Sequence, residues 1–319
     1  MYNVPYWSRP LHNFATFTVV HPYHGTPPRG RGAHTTAMLV PINFWILVAG
    51  GSAAAPPHVD VELCERVLSA HRLGDAALAV GELCNSRRPI AVELDAPRDA
   101  RAFRLPSDAG SVADDEAPRE LALREISFGE GGLGGKIWEA GIAMAIWVSL
   151  HEERLRGRRV LELGSGVGMA GLAASQVSSS DTHVTLSDRD SAQAAELLRM
   201  LRRNAADNRL EATTRALDWQ RCLDASFEPL GTFDIVLAAD CIYYESDAAA
   251  LASAVMRHTA PSGTALLMNR VGREGKAVEA LLRCLREAEG ELVTEEMTIV
   301  NNFSSESLSL VQWTAPART

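Results

Sequence analysis

Three closely spaced glycines are the residues of this chain with the clearest chemical meaning. Gly164, Gly166 and Gly168 directly follow residues 160–163, an apolar run typical of a buried parallel strand. After them, residues 169–174 form an apolar, alanine-rich run that predicts a helix. Such a turn presents bare backbone N–H groups to a ligand, because glycine has no Cβ to block close approach and tolerates positive φ. The spacing therefore predicts a small-molecule site at a strand–turn–helix junction.

Two cofactors fit this turn. Residues 166–171 match G-x-G-x-x-G, the dinucleotide fingerprint. The overlapping residues 162–168, ELGSGVG, are similar to motif I, E-x-G-x-G-x-G, of S-adenosylmethionine (AdoMet) methyltransferases. The glycines alone do not decide between the two cofactors. Glu162 favours AdoMet, since a carboxylate attracts its cationic amino and sulfonium groups and repels a pyrophosphate. A tight turn that binds no ligand is the structural alternative.

Acidic side chains follow three of the predicted strands, at the point where each strand ends. Asp188 lies 20 residues beyond Gly168, a spacing at which a carboxylate accepts hydrogen bonds from ribose hydroxyls. Asp218 and Asp240 end the next two strands. Any one of them alone is explained by a helix cap or a turn. Because ligands bind beyond the carboxyl ends of parallel strands, three acids on the rim that carries the glycines indicate a binding site.

The elements that position these residues alternate between strand and helix patterns, which predicts an α/β fold with a Rossmann-like, doubly wound sheet. We expect seven strands, mainly parallel, with a terminal antiparallel strand from the pair 291–299 and 307–313. Residues 126–128 are predicted as a short additional strand, and residues 130–135 as a flexible turn. The other predicted strands are 160–163, 182–187, 211–217, 233–239 and 264–268, and the predicted helices are 136–150, 169–174, 191–203, 248–258 and 276–289.

Changes of pattern along the chain divide it into three parts. Residues 1–36 lack periodicity, and residues 1–57 as a whole are expected to be an irregular or poorly ordered segment. The apolar run 38–51 within them predicts a buried strand or helix, since it is too short for a membrane span and begins far from Met1 for a signal peptide. Residues 58–120 are expected to form a mixed N-terminal extension, and residues 121–319 the cofactor-binding domain. The extension is predicted to contain helices at 61–70 and 75–84, strands at 89–94 and 101–105, and an acidic linker at 107–120.

Composition argues against a broad nucleic-acid-binding face and against a disulfide framework. The net charge of −9 is compatible with a basic protein partner, whereas nucleic-acid-binding proteins usually present a basic surface. The cysteines are Cys64, Cys84, Cys222, Cys241 and Cys284. Without a C-x-x-C pair they indicate reduced thiols, in the cytosol or nucleus. We expect no metal site and no membrane association, and His21 and His24 are interpreted as solvated side chains.

Four blocks in order resemble a known family. They are residues 136–140 (KIWEA), 160–168 (VLELGSGVG), 217–219 (LDW) and 238–243 (AADCIY). The chain resembles the seven-β-strand protein-lysine methyltransferases of the methyltransferase-16 group, over residues 125–273. The last block contains the D-x-x-Y motif of that family. The resemblance implies AdoMet as the cofactor and, as partner, a protein that presents a lysine.

The resemblance also implies site residues. Those implied to bind the cofactor are Trp138, Glu162, Gly164, Ser165, Gly166, Gly168, Asp188, Asp218, Trp219 and Ala239. Among them, Asp188 is implied to take the ribose, and Asp218 or Trp219 to border the adenine. Asp240 and Tyr243 are implied to face the substrate nitrogen, Asp240 orienting the amine and Tyr243 shaping its channel. Without the resemblance, core packing explains either tryptophan equally well.

Three other functions stay open at this point. The first is an AdoMet-dependent methyltransferase of a small molecule, a protein N-terminus or a nucleic acid. An Asn/Asp-Pro-Pro-Tyr motif would favour base methylation, and residues 240–243 (DCIY) occupy its place. The second is a non-catalytic binding module on a methyltransferase fold. The third is an NAD-dependent oxidoreductase, which only the overlapping glycine pattern supports.

Overall fold

The structure is a computed structural model that describes residues 44–50, 90–94, 100–106, 119–177, 181–189, 192–272, 276–301 and 305–317. Within these ranges, one sheet contains eleven strands. The strands are β1 (Phe44–Gly50), β2 (Ile90–Leu94), β3 (Ala100–Arg104), β4 (Glu120–Arg124), β5 (Arg159–Leu163), β6 (His183–Asp188), β7 (Ala212–Ala216), β8 (Phe233–Ala239), β9 (Thr259–Arg270), β10 (Glu291–Asn301) and β11 (Ser305–Thr314). The helices are α1 (Phe128–Gly131), α2 (Glu139–Leu150), α3 (Met169–Val177), α4 (Ala192–Asp207), α5 (Ala248–His258) and α6 (Lys276–Glu287).

Strands β5–β11 form the predicted seven-stranded unit, in the order β10-β11-β9-β8-β5-β6-β7. Strands β5, β6, β7, β8 and β9 pair in parallel, whereas β11 runs antiparallel to both of its neighbours. The predicted fold class is therefore confirmed. The chain leaves β5 towards β6 on one side and returns to β8 on the other side. This reversal opens a crevice beyond the carboxyl end of β5, which is where open α/β sheets bind ligands.

The N-terminal strands continue the same sheet. Strand β1 pairs antiparallel with β10, with Trp45 opposite Asn301, and β2, β3 and β4 follow as antiparallel neighbours. The strands predicted at 89–94 and 101–105 are confirmed as β2 and β3. The apolar run 38–51 contains β1, so the prediction that all of residues 1–57 are irregular is wrong for residues 44–50.

The region before the first long helix differs from the prediction. The short strand expected at residues 126–128 is absent, and the strand of this region is β4, at Glu120–Arg124. Ile126 instead donates its backbone N–H to the Gly135 carbonyl at 3.0 Å, and residue 128 begins α1. In β4, Leu121 and Leu123 are buried between exposed or half-buried neighbours, and this period of two is the pattern of a strand with one covered face.

Helix α2 lies inside the molecule. Its residues from Ile142 to Ser149 are all buried, and a helix that is apolar on every side needs cover on every side. Strands β8, β9 and β10, strands β1 and β2, and helix α3 all contact it. Phe103, Leu121 and Leu123 belong to the same apolar core. The N-terminal strands therefore cover a face of α2 that the seven-stranded unit does not.

The remaining predicted helices and strands of residues 121–319 are all present, and only their first and last residues differ from the prediction. Strand β8 and helix α5 have the predicted limits, and α4 extends to Asp207. Strand β9 begins five residues before the predicted strand 264–268 and contains an irregularity, where its pairing with β8 shifts and Ser262 has a φ of 59°. The predicted helices 61–70 and 75–84, His21, His24, Cys64 and Cys84 lie outside the described residues. Within the described ranges, no helix is both long and apolar enough to cross a membrane.

Candidate active site

A cavity of about 380 Å³ lies beyond the carboxyl ends of β5, β6 and β8. All but one of the predicted site residues line it. They are Trp138, Glu162, Gly164, Ser165, Gly166, Asp188, Asp218, Trp219, Ala239, Asp240 and Tyr243. Gly168 is the exception, because it faces the protein interior. A Cβ on Gly168 would lie 2.9 Å from Leu201 and 3.0 Å from Leu172, so this glycine permits the packing of the turn on α3 and α4.

The other two glycines of the turn lie at the cavity wall, where no larger residue fits. Gly164 and Gly166 have φ values of 64° and 55°, in the left-handed region that favours glycine. A Cβ on Gly164 would lie 2.9 Å from the Cβ of Cys241 and 3.2 Å from the ring of Trp219. A Cβ on Gly166 would lie 2.7 Å from the Gly134 carbonyl oxygen. The backbone of the turn is therefore open to a ligand on one side and tightly packed on the other.

Hydrogen bonds to β6 fix the turn. The backbone N–H of Ser165 donates to the Ser187 carbonyl at 2.9 Å, and the Ser187 N–H donates to Ser165 Oγ at 3.1 Å. Ser187 Oγ donates to the Glu162 carbonyl at 2.7 Å. Ser187 was not predicted as a site residue, since a serine inside a strand has no distinguishing local signal. It joins the ends of β5 and β6 below the cavity.

Asp188 is a buried carboxylate that organises the turn. Its Oδ2 accepts the Gly166 N–H at 2.8 Å, and its Oδ1 accepts the Arg189 N–H at 2.8 Å. Burial raises the pKa of Asp188 above its ordinary value, although both hydrogen bonds oppose the shift. Each carboxylate oxygen has a second lone pair, so Asp188 retains capacity for a ligand donor.

Glu162 is a buried carboxyl group on the cavity wall. Its side chain is 3% exposed, and Oε2 is buried without a hydrogen-bond donor. Burial raises the pKa of Glu162 to about 8; the hydrogen bonds of its carboxyl with the Ser165 side chain and the Gly171 backbone oppose the shift, and the charge of Asp188 adds to it. A Cβ on Gly171 would lie 2.5 Å from Oε2, so α3 leaves room for this carboxylate only because of that glycine. A buried acceptor without a donor is costly, and a cationic ligand would satisfy it.

Asp218 and Trp219 line the cavity beyond β7. Asp218 Oδ1 accepts the Gln220 N–H at 3.0 Å and so caps the 3-10 turn Trp219–Leu223. The cap that the sequence offered as an alternative for Asp218 is therefore present, on a residue that also lines the cavity. Trp219 is half-buried, with its ring against Gly164. Such a ring offers a flat apolar surface to a ligand.

Asp240 has an unusual backbone conformation at the end of β8. Its φ is 49°, and its side chain is 2% exposed. The Asp240 N–H donates to the Met268 carbonyl of β9 at 2.8 Å, which holds this conformation. Residues in sparsely populated backbone regions cost free energy and concentrate at functional sites. Tyr243 is half-buried on the same wall, and Tyr244 is exposed at the mouth.

The opposite wall is the segment from Leu133 to Trp138. Trp138 Nε1 donates to the Leu133 carbonyl at 2.9 Å, which holds the indole at the cavity. The flexible turn predicted at 130–135 is the end of α1 followed by a 3-10 helix at Gly132–Gly135. Its glycines allow the close approach to Gly166 described above. Leu133, Gly134 and Lys136 also line the cavity and were not predicted as site residues, although the glycine-rich run next to Trp138 was a usable signal.

Comparison with known proteins identifies the family of this chain. A lysine methyltransferase family model matches residues 116–282, slightly more than half of the chain. The chain is 29% identical over 143 residues to the protein N-lysine methyltransferase METTL21A of Danio rerio, an alignment that covers 43% of this chain and 61% of that protein. It is 33% identical over 139 residues to the protein-lysine N-methyltransferase EFM6 of Saccharomyces cerevisiae, covering 37% of this chain and 54% of that one.

The alignment with the calmodulin-lysine N-methyltransferase of Arabidopsis thaliana covers 34% of this chain and 35% of that protein, at 29% identity. The chain therefore spans about three fifths or less of the length of these curated relatives. The matched region begins before β4 and ends within α6, so it includes both walls of the cavity. This chain belongs to the lysine methyltransferase family.

Proposed function

We propose that this chain is an AdoMet-dependent methyltransferase that transfers a methyl group to a lysine side chain of a protein. The observation that carries the proposal is the buried Glu162 carboxylate, whose Oε2 has no donor, beside an open glycine turn. The relatives named above are lysine methyltransferases, and the acceptor class is taken from them.

The charges of the cavity fit AdoMet better than a dinucleotide. Glu162 and Asp188 are both buried, and burial raises the pKa of each. A cationic ligand favours the ionised forms of these groups and relieves the cost of burying them. A pyrophosphate would add negative charge next to two carboxyl groups. We therefore set aside the NAD-dependent alternative that the glycine pattern had left open.

Each wall residue has a role in this proposal. Glu162 would hold the amino group of the cofactor, Asp188 its ribose hydroxyls, and Trp219 the face of the adenine. Gly164 and Gly166 would let backbone come close to the amino-acid portion, as neither position accepts a Cβ. Trp138 and the Ala239 backbone would complete the enclosure. When bound, AdoMet supplies an electrophilic methyl group on its sulfonium.

The chain itself has to prepare the acceptor amine. A free lysine has a pKa of about 10.4, so it is protonated and unreactive at neutral pH. Tyr243 narrows the approach, and desolvation there lowers the pKa of the lysine. Asp240 accepts a hydrogen bond from the amine and orients it, a positioning effect worth several kcal/mol. The proton leaves to water.

The partner and the compartment follow from composition. The net charge of −9 suits a basic protein region around the target lysine. Cys222, Cys241 and Cys284 are free thiols, as is usual for a protein of the cytosol or nucleus, and we propose that the enzyme acts there. Neither a membrane nor a nucleic acid is part of the proposal.

The test is methyl transfer into a lysate. The protein is incubated with AdoMet labelled on the methyl group, and the products are treated with protease or with nuclease. We expect a protease-sensitive label, found on lysine by mass spectrometry, that is lost with the D240A variant. A nuclease-sensitive label would instead identify a nucleic-acid methyltransferase. Binding of AdoMet without any transfer in lysates from several sources would favour the non-catalytic module.

A further inference from the structure

One buried amide connects the two walls of the cavity. Asn204 lies on α4 and is fully buried. Its Oδ1 accepts the Arg124 N–H at 2.9 Å, and its Nδ2 donates to the Arg124 carbonyl at 3.2 Å and to the Val167 carbonyl at 2.9 Å. The carboxamide therefore uses its oxygen and both of its N–H groups.

The two backbone partners of Asn204 lead to opposite walls: Val167 lies in one wall, and Arg124 directly precedes the residues that hold the other. Val167 stands between Gly166 and Gly168, inside the glycine turn. Arg124 ends β4, and the next two residues hold the opposite wall. Glu125 Oε1 accepts the Ile137 N–H at 2.8 Å, and the Ile126 N–H donates to the Gly135 carbonyl at 3.0 Å. The segment from Leu133 to Trp138 is thus attached to the same short piece of backbone that Asn204 binds.

We propose that Asn204 is a positioning residue that sets the separation of the two cavity walls and thereby the affinity for the cofactor. The proposal rests on the proposed function, since it concerns AdoMet. The walls already meet closely, because a Cβ on Gly166 would lie 2.7 Å from the Gly134 carbonyl oxygen. A small displacement of the turn would therefore change the shape of the site. Among common replacements, aspartate and alanine lack the two N–H donors that span from Arg124 to Val167.

Asn208, one helical turn further, is a matched control. Its Oδ1 accepts the Ala122 N–H at 2.8 Å, and its Nδ2 donates to the Ala122 carbonyl at 2.6 Å and to the Asn204 carbonyl at 2.7 Å. Each asparagine thus makes three hydrogen bonds, and both bind the backbone of β4. Only Asn204 reaches the glycine turn. If the two asparagines had only a structural function, substitutions of either would lower the stability and neither would change the affinity for AdoMet.

The experiment compares the N204A, N204D and N208A variants with the unaltered chain. Calorimetric titration gives the Kd for AdoMet, thermal unfolding gives the stability, and hydrogen exchange of ligand-free protein gives the protection of residues 164–168. N204D keeps the acceptor for Arg124 and the shape of the side chain, so it is the variant to use if N204A does not fold. We expect Asn204 variants to raise the Kd about tenfold, or about 1.4 kcal/mol, and to lose protection in the turn. For N208A we expect a lower Tm with an unchanged Kd.

Equal effects of the Asn204 and Asn208 variants on the Kd would overturn the proposal, as would an unchanged Kd in N204D. Failure of the proposed function is a separate outcome, in which the unaltered chain itself does not bind AdoMet. In that case the exchange measurement still decides the positioning role. Unchanged protection of residues 164–168 in N204D would reject it.

Discussion

Strands β5–β11 and strands β1–β4 belong to one sheet, yet they contribute to the molecule in different ways. The parallel strands end at the cavity and supply Glu162, Asp188 and Asp240 to its wall. In the part of the chain that the structure describes, β1–β4 supply no residue to that wall, and they cover α2 instead. Under the proposed function, side chains at strand ends therefore carry the chemistry, whereas the added strands contribute stability.

The two regions are connected where β1 pairs with β10 and also through side chains. Asn204 in α4 and Asn208 just after α4 both hydrogen-bond to the backbone of β4. Among the described strands, β4 is the last at its end of the sheet, and the two asparagines satisfy backbone groups that a further strand would otherwise bind. The comparison predicts that changes at the strand ends alter binding and catalysis, whereas changes in β1–β4 alter the free energy of unfolding.

The largest effect is expected for Asp240→Ala. Loss of the group that orients the amine should lower the rate of methyl transfer about a thousandfold, or about 4 kcal/mol. The Kd for AdoMet should stay within about twofold, a measurement that separates positioning of the amine from cofactor binding. Asp240→Asn is the conservative control, because the amide oxygen still accepts a hydrogen bond and some turnover should remain. Normal turnover in both variants with intact AdoMet binding would remove Asp240 from the mechanism.

A substitution in strands β1–β4 should lower the stability of the protein and leave its binding of AdoMet unchanged. Phe103 of β3 is fully buried in the core beside α2. Phe103→Ala should lower the free energy of unfolding by about 3 kcal/mol or more, because it leaves a cavity. Urea unfolding measures this loss, and titration of the folded variant should give an unchanged Kd for AdoMet. A large change in the Kd at preserved fold would contradict the division between the two regions.

Glu162→Gln should weaken AdoMet about tenfold, since a charge-assisted contact becomes a neutral one. The pH dependence of the ligand-free protein gives a second readout. The folded-state pKa of Glu162 is about 8, above the ordinary 4.5, so between these values the folded state binds more protons than the unfolded state. The contribution of Glu162 to stability is therefore present below about pH 4.5 and is lost as the pH rises through 8. In the E162Q variant, the free energy of unfolding should not show this decline with rising pH. The same pH dependence of stability in both proteins would contradict the raised pKa of Glu162.

The smallest effect concerns His258, at the end of α5. Its Nδ1 lies 2.7 Å from the Ala254 carbonyl, and its Nε2 accepts the Leu230 N–H at 3.2 Å. This arrangement requires the neutral ring, and burial lowers the pKa of His258 below 6.5. Below pH 6.5 the unfolded state binds the additional proton, so this part of the stability falls as the pH falls.

The variant H258Q should lose this acid-sensitive part, whereas H183Q, at an exposed position of β6, serves as the control. Thermal unfolding between pH 5 and 8 measures the difference. The same acid sensitivity in H258Q and in the unaltered chain would show that other groups cause it.

The sequence predicted the strand ends well because their signals are local. The apolar runs of β5 and β8, the glycines after β5 and the acids after β6, β7 and β8 are all readable in short windows. Eleven residues predicted from these windows and from the family resemblance line one cavity. Gly168 does not line the cavity, and the spacing of glycines alone does not say which of them face the cavity and which face Leu201.

The extension was less predictable for a physical reason. Strand β1 pairs with β10 across most of the length of the chain, with Trp45 opposite Asn301, and such pairing leaves no local pattern. The positive φ of Asp240 and the missing donor at Glu162 Oε2 also arise from tertiary packing. These features of the site were not predicted because they depend on how neighbouring strands and helices pack around the two residues.

The most direct test of this account is calorimetric titration of the purified protein with AdoMet at pH 7, in two buffers of different ionisation enthalpy. We predict micromolar binding with the release of about one proton per site, because the cationic ligand favours the ionised form of a carboxyl whose pKa is otherwise about 8. NADH should not bind. No binding at millimolar AdoMet by well-folded protein, or binding of NADH in its place, would contradict the assignment of the glycine turn and of Glu162.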